Sequence, residues 1–419
     1  MIFPFSLIQN LFFEQKSLYT NSLFIILASL TSSVIGYIFL IVATNLYSKD
    51  ELGIGIAILS SISLIIIISR VGLEHSLIRF FPGGNKSNIF STTIFFTLIV
   101  TLIIGIIFIL GLNIWAPQLD LLRNIALIFL LLLIINSLIS TSGISFIAIR
   151  KSKNYFFQNI LMALRIVFLF PLAFLGSMGI VYSCGLATAI AFGISMISLK
   201  KYGVWWSKID IKYLLDSTRF SIGNYITEIF LVTPALILTI ITLNILGSNA
   251  VTDFYIALSL ASILFVIPAA FSTSLFVEGS HGVPLRSVIV KTILINFVLL
   301  VPAVILIILF GPVILSLFGK EYQNVLPVLN ILAISSFFVV PFNIFISIKR
   351  VEKQIYDLLF FSIILFFSII MFSYILMKEF GVIGISYAWL FTYGLLDIII
   401  ILKIRYSIIP GTKLRILVA

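Results

Sequence analysis

Runs of about twenty apolar residues follow one another from end to end of this chain, each long enough to cross a roughly 30 Å hydrocarbon core as a helix. Lipid offers no partners to backbone N–H and C=O groups, so such runs fold either as a helical bundle or as a closed barrel. The residue-by-residue alternation of a barrel is absent. With 61% hydrophobic and only 10% charged residues, most of the surface must face lipid rather than water. The expected class is an all-α polytopic membrane protein.

Apolar runs between charges define twelve spans, approximately 22–45, 53–72, 88–112, 122–148, 156–176, 179–199, 220–246, 250–277, 288–310, 325–348, 356–377 and 381–402. The connections test the count. Those after even-numbered spans, with both termini, hold 21 of the 26 basic residues; those after odd-numbered spans hold four, and Arg165 lies within a span. That split follows the positive-inside rule and puts both termini in the cytoplasm, in a multi-pass protein of the cell membrane. The net charge of +11 then speaks of anionic membrane lipid and gives no reason to expect nucleic acid. Residues 1–21 carry Glu14 and Lys16 after apolar positions. They read as an interfacial or disordered lead rather than a cleaved signal.

Cys184, His75 and His281 are the only thiol and imidazoles. That is too few for a disulfide, a structural zinc site or a Cys/His nucleophile, so neither metal nor cofactor is expected.

The chain repeats itself at an interval of 199 residues. Phe146 and Phe345 each open an F-I-x-I followed by two basic residues, and Asn45 and Asn244 stand near the outer ends of spans one and seven. Ser76-Leu77 and Ser274-Leu275 recur at 198. The pattern predicts two six-helix units, 1–199 and 213–419, joined by a cytoplasmic linker over 200–212. Six is even, so the copies would be parallel repeats, two lobes with a cleft between them.

On that organisation, the segment from Tyr47 to Phe81 resembles the opening signature of the polysaccharide-biosynthesis (Wzx-type) flippases. These are lipid-linked oligosaccharide transporters of the superfamily that also holds multidrug and toxin extrusion proteins. The matching residues are Asp50-Glu51 with Gly53 before the second span, then Gly72-Leu73-Glu74 and Arg79-Phe80 after it. The stretch Leu317 to Tyr322, followed by Pro327, looks like the family's turn before span ten. Leu52, Leu238, Thr239 and Leu260 depart from the family pattern. The resemblance implies a monomeric flippase, with no enzymatic activity, for a polyprenyl-(pyro)phosphate-linked oligosaccharide, working beside polysaccharide assembly enzymes.

Candidate site residues are the charges that the membrane should not tolerate idly. Arg165 lies about 14 Å into span five and Glu228 about 12 Å into span seven, at 1.5 Å per residue. Equal depth and opposite sign in opposite halves suggest either a salt bridge between lobes or a polar cavity. In that cavity Arg165 would hold a cargo phosphate and Glu228 a coupling ion. Asn224 shares a helix face with Glu228. Asp397, near the end of span twelve, is a second ion-coupling candidate or an interfacial packing residue. Arg70 and Glu74, spaced i,i+4, can pair if the helix continues past span two. Arg79 has no obvious local partner and is a candidate to capture a phosphate head group with Arg70, against the plainer reading of a topology anchor ended by Pro82-Gly83-Gly84. Ser29, Ser33 and Gly36 form a small polar stripe that reads first as helix packing. Pro171, Pro234, Pro268, Pro302 and Pro341 interrupt five spans and could localise bending.

Three functions fit different parts of this pattern. A flippase moving the lipid-linked oligosaccharide from inner to outer leaflet by alternating access needs a wet cleft for sugar and phosphate. Ion-coupled multidrug efflux needs a carboxylate-rich cavity, which Arg165 offsets. A membrane glycosyltransferase or polymerase needs catalytic carboxylates on large outer loops, and the outer loops are short.

Overall fold

The computed structural model describes residues 5–280 and 285–407. The described residues are helical nearly throughout, with no strand. Eleven of the helices are long and apolar enough to cross a membrane.

The first unit, Met1–Tyr225, contains α1 (Phe5–Leu46), α2 (Lys49–Ser69), α3 (Leu73–Phe80), α4 (Lys86–Leu110), the short α5 (Leu112–Trp115) and α6 (Leu121–Asn124), α7 (Ala126–Ala148), α8 (Ser152–Leu161), α9 (Leu164–Leu169) and α10 (Ser177–Lys201). The second, Ile226–Ala419, takes most of α11 (Ile211–Leu246), then α12 (Ser248–Ser280), α13 (Leu285–Ser316), α14 (Leu326–Val351), α15 (Ile355–Phe380) and α16 (Val382–Ser407). In the first unit α7 packs on α4, α10 and α8, and in the second α14 packs on α12, α13 and α16.

Local chemistry sets the helix ends. Ser48 and Glu51 form a reciprocal capping box, with Glu51 N donating to Ser48 Oγ at 3.3 Å and Ser48 N to Glu51 Oε2 at 2.9 Å. The acidic pair before span two therefore starts a helix, and starts it four residues earlier than the apolar run. Asn85 caps α4 by accepting from the amides of Ser87 and Asn88. Along α4, Thr92, Thr97 and Thr101 each donate to the carbonyl four residues back at 2.7 Å. Buried hydroxyls without water satisfy themselves this way.

Three expectations change. The fifth span, 156–176, is not one helix: α8 and α9 are joined by i→i−3 bonds, among them Ala163 N to Ile160 O at 2.9 Å, and a 3-10 turn over Ala173–Leu175 follows. Pro171, which has no N–H to give, lies at the second break. The other four prolines sit inside unbroken helices, with Pro312 as a fifth. Residues from Phe5 onward continue the first span as one 42-residue helix, so the lead past residue 4 is helical.

The two halves share two backbone turns, spaced 203 and 205 residues apart rather than the 199 of the sequence matches. Arg150 and Lys353, at the turn between the fourth and fifth segments of each half, have φ of 56° and 57°. Each turn closes with a bond five residues back, Lys151 N to Phe146 O at 2.8 Å and Gln354 N to Lys349 O at 3.0 Å. Gly176 and Gly381 occupy the next turn with φ of 57° and 60°.

The boundary between the compact units falls inside α11, beyond the expected linker. The segment 202–210 is tied along α4 by Ser87, Asn88, Ser91 and Thr92. Tyr213 then meets Thr93 at 3.1 Å, and burial pushes its phenol pKa up. Ser76 Oγ donates to Ser217 O at 3.1 Å, and Tyr225 donates to the carbonyl of Ile68. The start of α11 is thereby part of the first unit.

Candidate functional site

A cavity of about 530 Å³ opens within the first unit between α2, α3, α7 and α8. Its lining mixes apolar residues (Ile62, Ile66, Ile139, Ile144, Met162) with the polar Arg70, Glu74, Asn136, Ser140, Tyr155, Gln158 and Asn159 along the same helices.

Arg70 is placed by the end of α2. Val71 and Gly72 are left-handed, with φ of 47° and 73°, and the chain restarts as α3. Arg70 Nε reaches Glu74 Oε1 at 2.7 Å and Nη1 reaches Oε2 at 3.2 Å. Ser140 on α7 closes the triangle: Arg70 Nη2 donates to its Oγ at 3.0 Å, and Ser140 Oγ donates to Glu74 Oε1 at 3.1 Å. The expected pair forms across a helix break rather than along a continuous helix. A cation already paired with a carboxylate keeps its geometry but presents less net charge to an incoming anion.

The amides differ in what they leave available. Gln158 is buried and engaged: Nε2 donates to Ile139 O at 3.0 Å, and Oε1 accepts from Ser195 at 3.2 Å and Ser142 at 3.4 Å. Asn159 accepts from Ser32 at 2.6 Å and donates to Tyr155 O at 2.8 Å. Asn136 only donates, to Leu132 O at 2.8 Å, so its carbonyl oxygen is available to a ligand. Asn136, Ser140, Tyr155, Gln158 and Asn159 escaped a search confined to ionisable residues. Their signal was present: amides within apolar helices are themselves costly in lipid and need a reason.

Arg165 stands one turn beyond Met162, in the tightened stretch between α8 and α9. Its guanidinium lies 5.0 Å from the Phe39 ring centroid and is close enough to Cys184 for its charge to act on the thiol. A Cβ on Gly36 would be 3.8 Å from its Nη2. Its buried Nε has no hydrogen-bond partner among the described residues. Gly36 of the small stripe thus faces Arg165, where a Cβ would make only ordinary contact, and Ser29 and Ser33 return their hydroxyls to their own helix.

In the second unit Glu228 is exposed on α11 and attracts Arg350 at the end of α14. The Asn224 side chain lies outside the described residues. Asp397 is buried, 8% exposed, and its Oδ1 has no hydrogen-bond partner among the described residues. An interfacial carboxylate would be wetter than this. Arg79 is exposed on α3 with its guanidinium 5.9 Å from the Phe80 ring centroid, and so is not the partnerless cation expected from sequence. Among the described residues no three His, Cys, Asp or Glu converge as a metal site.

No protein-family model matches the chain. An uncharacterized membrane protein, MJ1068, of Methanocaldococcus jannaschii is 24% identical over an alignment covering 88% of this chain and 80% of that one. A multidrug-resistance MATE transporter of the MOP superfamily, solved inward-facing, superposes with a TM-score of 0.65 at 17% identity, covering 90% of this chain and 94% of its own. The lipid II flippase MurJ, inward closed, gives 0.64 at 14% identity, covering 91% and 87%. A MOP-superfamily transporter from Pyrococcus furiosus gives 0.60 at 15%, covering 95% and 97%. The chain has the multi-pass helical fold of the solved MOP-superfamily transporters.

Proposed function

We propose that this protein is a flippase that carries a polyprenyl-linked oligosaccharide across the cytoplasmic membrane by alternating access, with both termini in the cytoplasm. The supporting observation is the chemistry of the first-unit cavity. Its polar lining consists of amides, hydroxyls and one ion pair, with Tyr155 beside them. Sugar hydroxyls, which both donate and accept, suit such a lining, and the rings' C–H faces suit a tyrosine. The isoleucines of the same lining suit the adjoining isoprenoid. Arg165, which has no carboxylate partner among the described residues, would meet the phosphate deeper in the membrane. Asp397, and Glu228 with Arg350, are the groups proposed to couple an ion gradient to the cycle. The carrier is read as a monomer serving enzymes that assemble the glycan.

The MATE-like fold keeps multidrug efflux as the competing reading. One experiment separates them. The purified protein is reconstituted in liposomes holding a fluorescent polyprenyl-diphosphate oligosaccharide, and the fraction reaching the outer leaflet is measured with a membrane-impermeant quencher. Parallel vesicles carry ethidium under a proton or sodium gradient. Flipping of the glycolipid without ethidium transport supports the flippase. The reverse result overturns it in favour of efflux.

A further inference from the structure

The two halves make the same backbone turn between their fourth and fifth segments, but with opposite electrostatic outcomes. In the second half Lys349 Nζ lies 2.8 Å from Glu352 and 3.5 Å from Asp357, and Lys403 Nζ lies 2.7 Å from Asp357. In register with the left-handed residues Arg150 and Lys353, Ile149 and Asn154 stand where Glu352 and Asp357 do. The first-half turn has no carboxylate at these two positions, and its own cations stand at 150, 151 and 153. Arg150, Lys151 and Lys153 are exposed, and neither they nor the neighbouring Lys200 and Lys201 has an ion pair among the described residues.

Two of these cations lie over aromatic rings of the strap that follows α10. Lys151 Nζ lies 5.3 Å from the Tyr202 ring centroid and Lys200 Nζ 4.9 Å from that of Trp205. Tyr202 also meets Asn154 Oδ1 at 3.3 Å, joining strap to turn. The strap is fixed to α4, with Ser87 Oγ donating to Gly203 O at 2.9 Å, Ser207 N donating to Ser91 Oγ at 2.7 Å and Asp210 N to Thr92 Oγ1 at 2.8 Å. Trp205 and Trp206 nonetheless remain 38% and 48% exposed. Indole rings held half-exposed at the end of a membrane-crossing helix belong at the headgroup level of a bilayer.

We propose that this turn and strap form a docking site for an anionic phospholipid of the adjoining leaflet, with Lys151, Lys200 and Lys201 around the phosphate and Trp205 and Trp206 among the acyl–headgroup boundary. Charge complementarity carries the choice of occupant: clustered cations without internal anions, beside rings suited to the interface, fit an anionic lipid better than a zwitterionic one. The site is independent of the cargo.

Native mass spectrometry of the full-length protein, titrated with dioleoylphosphatidylglycerol or dioleoylphosphatidylcholine, tests it. The anionic lipid should bind more tightly than the zwitterionic one. The K151Q/K200Q/K201Q variant should weaken that binding on the order of a hundredfold, at roughly fivefold per lysine near an anionic surface. K151R/K200R/K201R should retain it, which keeps the test decisive if the glutamine variant does not fold. K320Q/K378Q, at the other ends of their helices, should bind as the parent does. Equal affinity for the two lipids, loss in the arginine variant or an equal loss in K320Q/K378Q would overturn the site. Competition by free glycerol phosphate at the same concentration would make it a soluble-anion site and overturn the lipid assignment.

Discussion

Arg70 meets Glu74 at 2.7 Å across a left-handed break, with Val71 at φ 47° and Gly72 at φ 73° between them. The ion pair and the break depend on each other: the turn brings the carboxylate under the guanidinium, and Ser140 ties both to α7. Gly72→Ala should cost about 1 kcal/mol, the strain of a Cβ in left-handed backbone. A double-mutant cycle of Arg70→Ala and Glu74→Ala should show coupling of about 1–3 kcal/mol in thermal or denaturant unfolding. Additive effects would mean that the pair is not formed in solution.

Asn136 and Gln158 line one cavity but should respond differently. Gln158→Leu leaves Ser195 without its acceptor, while Ser142 keeps its 2.8 Å bond to Ile139 O, so it should lower stability by about 1–3 kcal/mol. Asn136→Ala removes an oxygen that no described residue engages, together with the amide's local bond to Leu132 O. It should leave the Tm near the parent value and reduce glycolipid flipping in the liposome assay. Loss of stability in both variants would count against a ligand role for Asn136.

Arg165 lies against Phe39 and near Cys184, with no carboxylate partner among the described residues to leave behind. Arg165→Met should therefore accumulate in the membrane with little change in stability, unlike the usual rupture of a buried pair. If the guanidinium holds a cargo phosphate, this variant should not flip, and Arg165→Lys should recover only part of the rate because an ammonium lacks the planar fork. Normal flipping by Arg165→Met would remove the binding role. In the same assay Glu228→Gln should couple to Arg350→Gln; coupling to Arg165→Met instead would favour a salt bridge between the halves.

Asp397 is buried without a hydrogen bond to its Oδ1. Asp397→Asn keeps the shape and removes a carboxylate that the interior does not compensate, so the Tm should hold or rise. Gradient-driven transport should fall if the carboxylate exchanges an ion. A variant of lower stability with unchanged transport would make Asp397 a structural residue.

Orientation is open to direct labelling. With Cys184→Ala as background, single cysteines at Asn249 and Lys378 should react with an impermeant maleimide from outside, and those at Ser207 and Lys353 only after permeabilisation. The opposite pattern would reverse the topology.

The apolar runs determined the class, and eleven of the twelve segments, because a helix buried in lipid satisfies its own backbone and needs no distant partner. The same locality made the Arg70–Glu74 spacing legible, whereas the Ser48–Glu51 capping box went unread, and the turns that share one backbone geometry stand 203 and 205 residues apart rather than 199. What the sequence could not decide depended on approach from elsewhere. Span five breaks at a tightened turn where Arg165 lies against Phe39 on α1 and Cys184 on α10. The 200–212 stretch is strapped to α4 by hydroxyls more than a hundred residues away. The cavity is made by amides that composition treats as incidental and only the packing of α2, α7 and α8 brings together. A hydropathy pattern records what each residue prefers as solvent; which side chain it will meet there is set by the tertiary contacts that replace that solvent.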